Sequence, residues 1–304
     1  MKYVVEQWAP EYGASAEGAE LAESQSTVDV SLELPADEWR PVAPADGTTA
    51  PAEIAFVDGV RRVEAQVWVA DDEGPSRMGL CASYAAGVVR CNGAATVVDA
   101  QVRRSLFCDG ASLVPIETRH GRFGVRQVSG DSPDALSLAL QSAMGELEHH
   151  VSTDVPDDCL LVVDGPLRER RLMEHAVGFV KRQHVGYLPT VVSDIVGELV
   201  AGERTPVFLI GEPFPRWSWY LCLPGARSHT WASVVRCEAG PDRSVDEVRA
   251  LADACTLALP RFASEPHKDS RAPQNLYPIA GLERELRRRL GDPRLLYRAL
   301  RAAA

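Results

Sequence analysis

Two short apolar runs, each closed by an Asp-Gly pair, constrain the fold of this chain more than any other feature. Residues 54–57 precede Asp58-Gly59, and residues 160–163 precede Asp164-Gly165. Apolar, β-branched runs of this length predict buried strands, and the glycine after each acid frees the backbone to turn. We therefore expect each acid at a strand end, where two distant parts of the chain can bring their carboxylates together. The alternative at either position is ordinary turn chemistry after a strand.

The composition describes a chain that can bury a large core. With 304 residues, 45% of them hydrophobic, the sequence suffices for one large domain or two smaller ones. No apolar run approaches the roughly 20 residues that cross a bilayer, and residues 1–6 turn acidic too soon for a secretory signal. We therefore expect a cytoplasmic protein with no membrane partner. The seven cysteines form no Cys-x-x-Cys pair, which indicates reduced thiols rather than a zinc site or a disulfide framework.

Charge is distributed unevenly along the chain. The formal net charge of −11 argues against a general nucleic-acid binder, because such proteins carry a basic face. Residues 1–50, however, hold ten acidic and two basic residues, whereas the other 254 residues hold 33 acidic and 30 basic ones. Residues 282–304 contain seven arginines against three acids. The charge of the later part of the chain is therefore compatible with contacts to phosphate groups.

The order of predicted elements indicates an α/β fold. Residues 1–50 form an acidic segment with one strand, and a domain over 51–304 follows. The predicted strands are 27–34, 53–58, 60–70, 78–90, 94–107, 159–164, 206–210, 217–223 and 228–237. The predicted helical segments are 133–152, an insertion over about 166–204, 244–257 and a basic helix over 282–304. This order predicts a mixed sheet flanked by helices, as in the ribonuclease-H-like architecture.

Asp58 and Asp164 are the strongest candidate metal ligands. Mg²⁺ and Mn²⁺ prefer carboxylate oxygens, and two such cations about 4 Å apart activate a water and stabilise the leaving oxygen in phosphodiester cleavage. Such a site usually needs a third carboxylate. Glu146 and Glu148 lie near the end of the helix predicted at 133–152, and Glu148 is favoured because it borders the apolar stripe. These residues together predict a two-metal nuclease site.

Basic residues near the second Asp-Gly pair are candidates for phosphate contacts. Lys181 follows an apolar pair and can hold a scissile phosphate as a point charge, although a solvated lysine at the end of an element has the same pattern. Arg168, Arg170 and Arg171 can form a phosphate-binding rim or the charged, exposed face of a helix. Both interpretations stay open at each of these positions.

The ordered set of motifs resembles the NurA nuclease family. The resemblance covers residues from about 53 to 290 of this chain. The matching segments are Phe56-Val57-Asp58-Gly59, Leu147-Glu148, Leu161-Val162-Val163-Asp164-Gly165-Pro166-Leu167, Gly178-Phe179-Val180-Lys181, Trp219-Tyr220-Leu221-Cys222-Leu223, Val234-Val235-Arg236-Cys237-Glu238 and Asn275-Leu276-Tyr277-Pro278-Ile279.

The resemblance implies a fold, an activity and partners. It implies a ribonuclease-H-like fold, Mn²⁺- or Mg²⁺-dependent cleavage of DNA, a homodimer, and a HerA-type hexameric ATPase that feeds DNA to the nuclease during end processing. It also implies metal-ligand roles for Asp58, Glu148 and Asp164, and a phosphate contact for Lys181.

The sequence departs from the family pattern at two places. Val60 follows the first Asp-Gly pair where the family commonly has Ser, and no His follows the Pro-containing segment near the C-terminus. Glu285 is the candidate substitute for that His. Three functions therefore stay open: a DNA nuclease, a binding subunit that keeps the fold without catalysis, and a ribonuclease acting on RNA–DNA hybrids.

Overall fold

The computed structural model describes most of the chain, and its elements are as follows. The described residues are 22–24, 26–69, 76–110, 113–167, 170, 172–183, 185–226 and 228–303. The strands are β1 (Ala22–Glu23), β2 (Val28–Asp29), β3 (Ile54–Val69), β4 (Arg77–Asn92), β5 (Ala94–Cys108), β6 (Ile116–Thr118), β7 (Gly121–Gln127), β8 (Leu160–Asp164), β9 (Ala176–Val180), β10 (Val185–Gly186), β11 (Phe208–Ile210), β12 (Arg216–Cys222) and β13 (Val234–Ala239). The α-helices are α1 (Pro133–Ser152), α2 (Thr190–Ser193), α3 (Ile195–Glu198), α4 (Val245–Ala258), α5 (Tyr277–Leu290) and α6 (Pro293–Ala303).

Most of the strands belong to one mixed sheet. Its eleven strands follow the order β2-β11-β12-β13-β9-β8-β3-β4-β5-β7-β6, and β1 pairs separately with β10. β8 and β9 are parallel, as are β5 and β7, whereas β11, β12, β13 and β9 pair antiparallel in succession. The expected α/β class with a mixed sheet and helices is confirmed at this level. No helix in the described part of the chain is both long and apolar enough to span a membrane.

Contacts divide the chain into two compact units. Unit 1 contains the described residues up to Phe56, Cys91–Ala95 and Pro156–Ala280; unit 2 contains Val57–Arg90, Thr96–Val155 and the residues from Gly281 onward. A cluster in unit 1 joins α2 and α3 to strands β11, β12 and β13, through the side chains of Val192, Val196, Phe208, Ile210, Tyr220 and Val234. A cluster in unit 2 seats α6 on strands β4, β5 and β7, through Leu296 and Leu300 against Cys81, Leu106, Cys108 and Phe123.

A buried arginine fixes the early chain segment within unit 1. The Arg204 side chain is 1% exposed and donates from Nη1 and Nη2 to the two oxygens of Glu33, at 2.8 Å each. Its Nε donates to Asp253 Oδ1 at 2.8 Å, and its Nη1 also reaches the Thr205 carbonyl at 3.0 Å. Glu33 Oε2 accepts a second bond, from the Val207 backbone at 2.6 Å. The cluster therefore connects the segment at residue 33 with β11 and α4.

Several sequence predictions agree with these elements because their signals are local. α1 begins at Pro133, with the Ser132 side chain accepting from the Ala135 backbone. α4 begins with a reciprocal capping box between Ser244 and Glu247. The late hairpin is present as β12 paired antiparallel with β13, and Gly93 has a φ of +72° between β4 and β5, as a tight turn requires.

Four other predictions give the wrong extent or type of a secondary-structure element. β3 runs through Asp58 as one 16-residue strand, so the first Asp-Gly pair does not end a strand. The described residues of the segment 166–204 do not form a helical insertion, since Ala176–Val180 is a strand of the sheet and the α-helices described after it are two of four residues each. The strand predicted at 27–34 is limited to Val28–Asp29. The basic C-terminal segment 282–304 forms parts of two helices, because Gly291 takes a φ of +83° between them.

Candidate metal site

The second Asp-Gly pair ends a buried strand, as predicted. The apolar residues of β8 are buried, Asp164 is its last residue, and Gly165 follows with a φ of +104° that favours glycine. β9 runs parallel to β8, with Asp164 aligned to Phe179. A Cβ at Gly178 would lie 3.0 Å from both the Gly165 carbonyl and the Leu167 backbone nitrogen. Glycine at 178 therefore lets the chain leaving Asp164 cross closely over β9.

Lys181 contacts Asp164 at this strand end. Its Nζ lies 2.5 Å from Asp164 Oδ2 and 2.7 Å from Asn275 Oδ1, and its side chain is 9% exposed. The interpretation of Lys181 as a solvated lysine is therefore wrong. The Lys181 ammonium is nearly buried and donates to one carboxylate and one amide oxygen. Its position is therefore fixed, because any other rotamer of the side chain would lose a hydrogen bond.

A chain of hydrogen bonds extends behind Lys181. Asn275 is fully buried, and its Nδ2 donates to Asp269 Oδ2 at 2.7 Å. Asp269 Oδ1 accepts from the Arg271 backbone at 2.8 Å, and Arg271 Nε lies 3.5 Å from the same oxygen. The amide orientation of Asn275 is thus set by Asp269, and Asn275 in turn presents an oxygen rather than an NH₂ group to Lys181. Sequence reasoning assigned no role to Asn275 or Asp269.

Asp58 lies within β3 and is 7% exposed. Its Oδ1 accepts from the Gly59 backbone at 2.7 Å, which orients the carboxylate toward its own strand. Gly59 does not have a positive φ, so it does not turn the chain here. Its role is close packing: a Cβ at this position would collide with Glu148 Oε1 and lie 3.0 Å from Met144 Cγ. The Glu148 carboxylate of α1 therefore lies against the residue next to Asp58.

This packing makes Gly59→Ala a specific probe of the Glu148 position. The added methyl group must displace the Glu148 carboxylate and Met144, so we expect a loss of about 1–3 kcal/mol in the free energy of unfolding, measured by urea denaturation. Gly145→Ala, on α1 with open space at its Cβ, is the matched control and is expected to stabilise the protein by about 0.5–1 kcal/mol. Equal free energies of unfolding for the two variants would contradict the close approach of β3 and Glu148.

The two alternate carboxylates are engaged elsewhere. Glu146 Oε2 pairs with Arg126 Nη1 at 2.6 Å, and the Glu146 side chain is 61% exposed. Glu285 bonds to both Arg288 and Arg289 at 2.8 Å, and these hydrogen bonds lower its pKa to about 2. Neither residue joins the group of carboxylates that includes Asp58. Glu283, two residues before Glu285, is instead the carboxylate of α5 that lies near Asp58.

Asp58 and Glu283, both in unit 2, form an acidic pair. Each offers one carboxylate oxygen, and the two oxygens lie within 4.8 Å of one another. Oxygens that share one Mg²⁺ at 2.0–2.1 Å lie at most about 4.2 Å apart, so the pair is close to the spacing that a bound cation imposes. In unit 1, Asp164 is the predicted ligand whose carboxylate contacts Lys181. Carboxylate oxygens suit Mg²⁺ or Mn²⁺, so the residues present fit such a cation.

Glu283 was missed although the sequence contains a signal for it. α5 buries Ile279, Leu282 and Leu286, and Glu283 lies four residues after the first and three before the last. On a helix these spacings put Glu283 at the edge of the buried stripe, whereas Glu285 points away from it. Asn275 and Asp269 precede α5 in irregular structure, where no periodicity marks a buried polar residue.

The three arginines predicted to contact phosphate have different outcomes. Arg168 and Arg171 lie outside the residues that the structure describes. Arg170 is 4% exposed, so it belongs neither to an exposed helix face nor to an open rim. Among the described residues, Lys181 is therefore the predicted phosphate contact that lies beside a predicted metal ligand.

Comparisons with known proteins add no relationship. No protein-family model matches the chain, and no curated protein matches its sequence.

Proposed function

We propose that this protein is a metal-dependent DNA nuclease of the NurA kind, with Asp58, Asp164 and Glu283 as ligands of Mn²⁺ or Mg²⁺. The observation that carries the proposal is the approach of the Asp58 and Glu283 carboxylate oxygens to within 4.8 Å in unit 2, with Lys181 on Asp164 in unit 1. The three proposed ligands, called the acidic cluster below, combine both predicted Asp-Gly pairs with a helix-borne glutamate. A ribonuclease-H-like arrangement of the sheet is part of the same proposal.

The chemistry assigned to the site follows from its charges. A bound cation of this kind supplies an activated water and neutralises charge on the phosphodiester. Asp58 and Asp164 would hold the cation, because hydrogen bonds from the Gly59 backbone and from Lys181 fix their carboxylates. Lys181 presents its remaining N–H to a phosphate oxygen and stays in place through Asn275. Glu148, packed on Gly59, is proposed to order the water around the site.

Partners remain part of the proposal and rest on the sequence resemblance. DNA is the proposed substrate, a HerA-type hexameric ATPase is the proposed motor that delivers it, and a homodimer is the proposed assembly. An ATPase of that type mixed with the purified protein should co-elute with it in size-exclusion chromatography.

A second candidate function has one observation in its favour. The Lys181 ammonium lies 2.5 Å from Asp164 Oδ2 and already neutralises part of the proposed metal ligand. A lysine that takes the position of a cation would leave a binding subunit with the same fold and no catalysis. The two functions differ in whether the cluster binds metal, and that difference is measurable without any substrate.

The test is therefore metal binding first and cleavage second. A cation that binds only the folded protein raises its stability by RT ln(1 + [L]/Kd), about 2.7 kcal/mol at 100 times the Kd. We expect Mn²⁺ to raise the melting temperature by several degrees and to support cleavage of linear duplex DNA that EDTA stops. Absence of both effects would select the binding subunit. Cleavage of RNA–DNA hybrids in preference to duplex DNA would select a ribonuclease.

A further inference from the structure

We propose that the exposed arginines of α5 and α6 form a binding surface for the phosphate backbone of double-stranded DNA. The arginine surface consists of Arg284, Arg287, Arg294, Arg298 and Arg301. All five are exposed. None has an ion pair or a side-chain hydrogen bond to any residue that the structure describes. Within the same helices Arg288 and Arg289 are different, because both pair with Glu285.

The helices hold these arginines on defined faces. On α6, Arg294, Arg298 and Arg301 are four and three residues apart, which places them on one face with axial separations of about 6 and 4.5 Å. The opposite face is fixed in unit 2 by Leu296 and Leu300, which are buried against β4, β5 and β7. The arginine face of α6 therefore has to point to solvent.

The charge of this segment is unusual for the chain. A solvated helix face normally mixes both signs, and α6 contains no acidic residue from Pro293 to Ala303. The whole chain carries a formal charge of −11, so a run of arginines without acceptors among the described residues is not a consequence of its composition. Concentrating like charges on adjacent turns is unfavourable in the isolated protein. A polyanionic ligand would offset that repulsion.

The same geometry discriminates between polyanions. A basic amphipathic helix binds an anionic membrane by inserting its apolar face, but the apolar face of α6 is packed in the core of unit 2. A duplex needs no insertion, because guanidinium groups bind phosphate oxygens in bidentate fashion from one side. Duplex DNA also carries a phosphate every 3.4 Å along each strand, so successive arginines of α6 can each meet one.

The surface also begins beside the proposed site. Arg284 directly follows Glu283 on α5, and Glu283 belongs to the acidic cluster. DNA bound by the arginines of α5 would therefore lie on the helix that also carries Glu283. The choice of DNA as the polyanion rests on the proposed function; the existence of an anion-binding surface does not.

Salt-dependent binding tests the surface directly. The probe is a fluorescent blunt duplex of about 30 base pairs, titrated with the full-length protein in EDTA so that no cleavage occurs. Each phosphate neutralised contributes about −0.9 to the slope of log K against log salt. We expect the variant R294Q/R298Q/R301Q to reduce that slope by about 2.7 and to weaken binding on the order of 10²-fold at 0.1 M salt.

The control variant changes the same number of arginines in unit 1. R40Q/R243Q/R261Q should leave the slope and the affinity within about twofold of the unchanged protein. Equal binding by the α6 variant and the unchanged protein would overturn the surface, as would equal losses in both variants. Because binding is measured without metal, a protein that binds duplex through α6 but never cuts it would reject the nuclease proposal and retain the surface.

Discussion

Asp164→Asn is expected to abolish metal-dependent cleavage of linear DNA while the protein stays folded. The substitution keeps the shape of the side chain and removes the negative charge that a cation requires. It also replaces the carboxylate acceptor of Lys181 with an amide that is able to present an NH₂ group to the ammonium. We expect the rate of cleavage to fall by at least about 10³-fold, because one proposed ligand of the cation that stabilises the transition state is lost.

The measurement combines initial rates with metal-dependent stability. Asp58→Asn should behave in the same way, and both variants should lose the rise in melting temperature that Mn²⁺ gives the unchanged protein. Asp154→Asn is the matched control, since Asp154 is exposed and outside the acidic cluster. Unchanged rates in both Asp58→Asn and Asp164→Asn would reject this assignment of the site. A control as inactive as the two site variants would point to a general loss of folding.

The two Asp-Gly pairs explain how much of this site a sequence can reveal. Asp164 was placed correctly because its strand, its turn and its glycine are contiguous, and Gly165 needs its positive φ. Asp58 was predicted on the expectation that Gly59 turns the chain at the end of a strand, and that expectation is wrong. Gly59 is glycine because α1 approaches β3 there, with Glu148 at the position of a side chain. The same dipeptide thus reflects backbone conformation in one case and close packing in the other.

The rest of the site depends on contacts that local patterns do not encode. Lys181, Asn275 and Asp269 are connected by hydrogen bonds that join β9 to a segment some ninety residues later, and no periodicity links them. The break between α5 and α6 was missed, although the sequence marks it. Gly291 takes a left-handed conformation, and Asp292 caps α6 by accepting from the Arg294 and Leu295 backbone. Glycine, a capping acid and proline in succession signal a new helix.

Arg204→Met is expected to lower the free energy of unfolding by about 3–5 kcal/mol. Methionine fills much of the same volume but leaves Glu33 and Asp253 without their common cation. Both carboxylates are nearly buried, with side-chain exposures of 5% and 11%, so water can replace little of what the guanidinium supplied. Urea denaturation measures the loss. Arg122→Met breaks an ion pair whose members are 64% and 70% exposed, and it should cost at most about 1 kcal/mol.

Acidification should narrow the difference between the unchanged protein and Arg204→Met. Burial raises the pKa of Glu33, but the hydrogen bonds and charge of Arg204, together with the Val207 hydrogen bond and the Arg249 charge, outweigh it, so the pKa of Glu33 lies below its usual value of 4.5. A lowered folded-state pKa contributes stability that is present above 4.5 and is lost as the pH falls through the lowered value. Without Arg204, the Val207 hydrogen bond and the Arg249 charge are what still oppose the effect of burial, so Glu33 protonates more readily. The difference in free energy of unfolding between the two proteins should therefore be largest near neutral pH and shrink below pH 4.5. A difference independent of pH would show that Glu33 does not bond to Arg204.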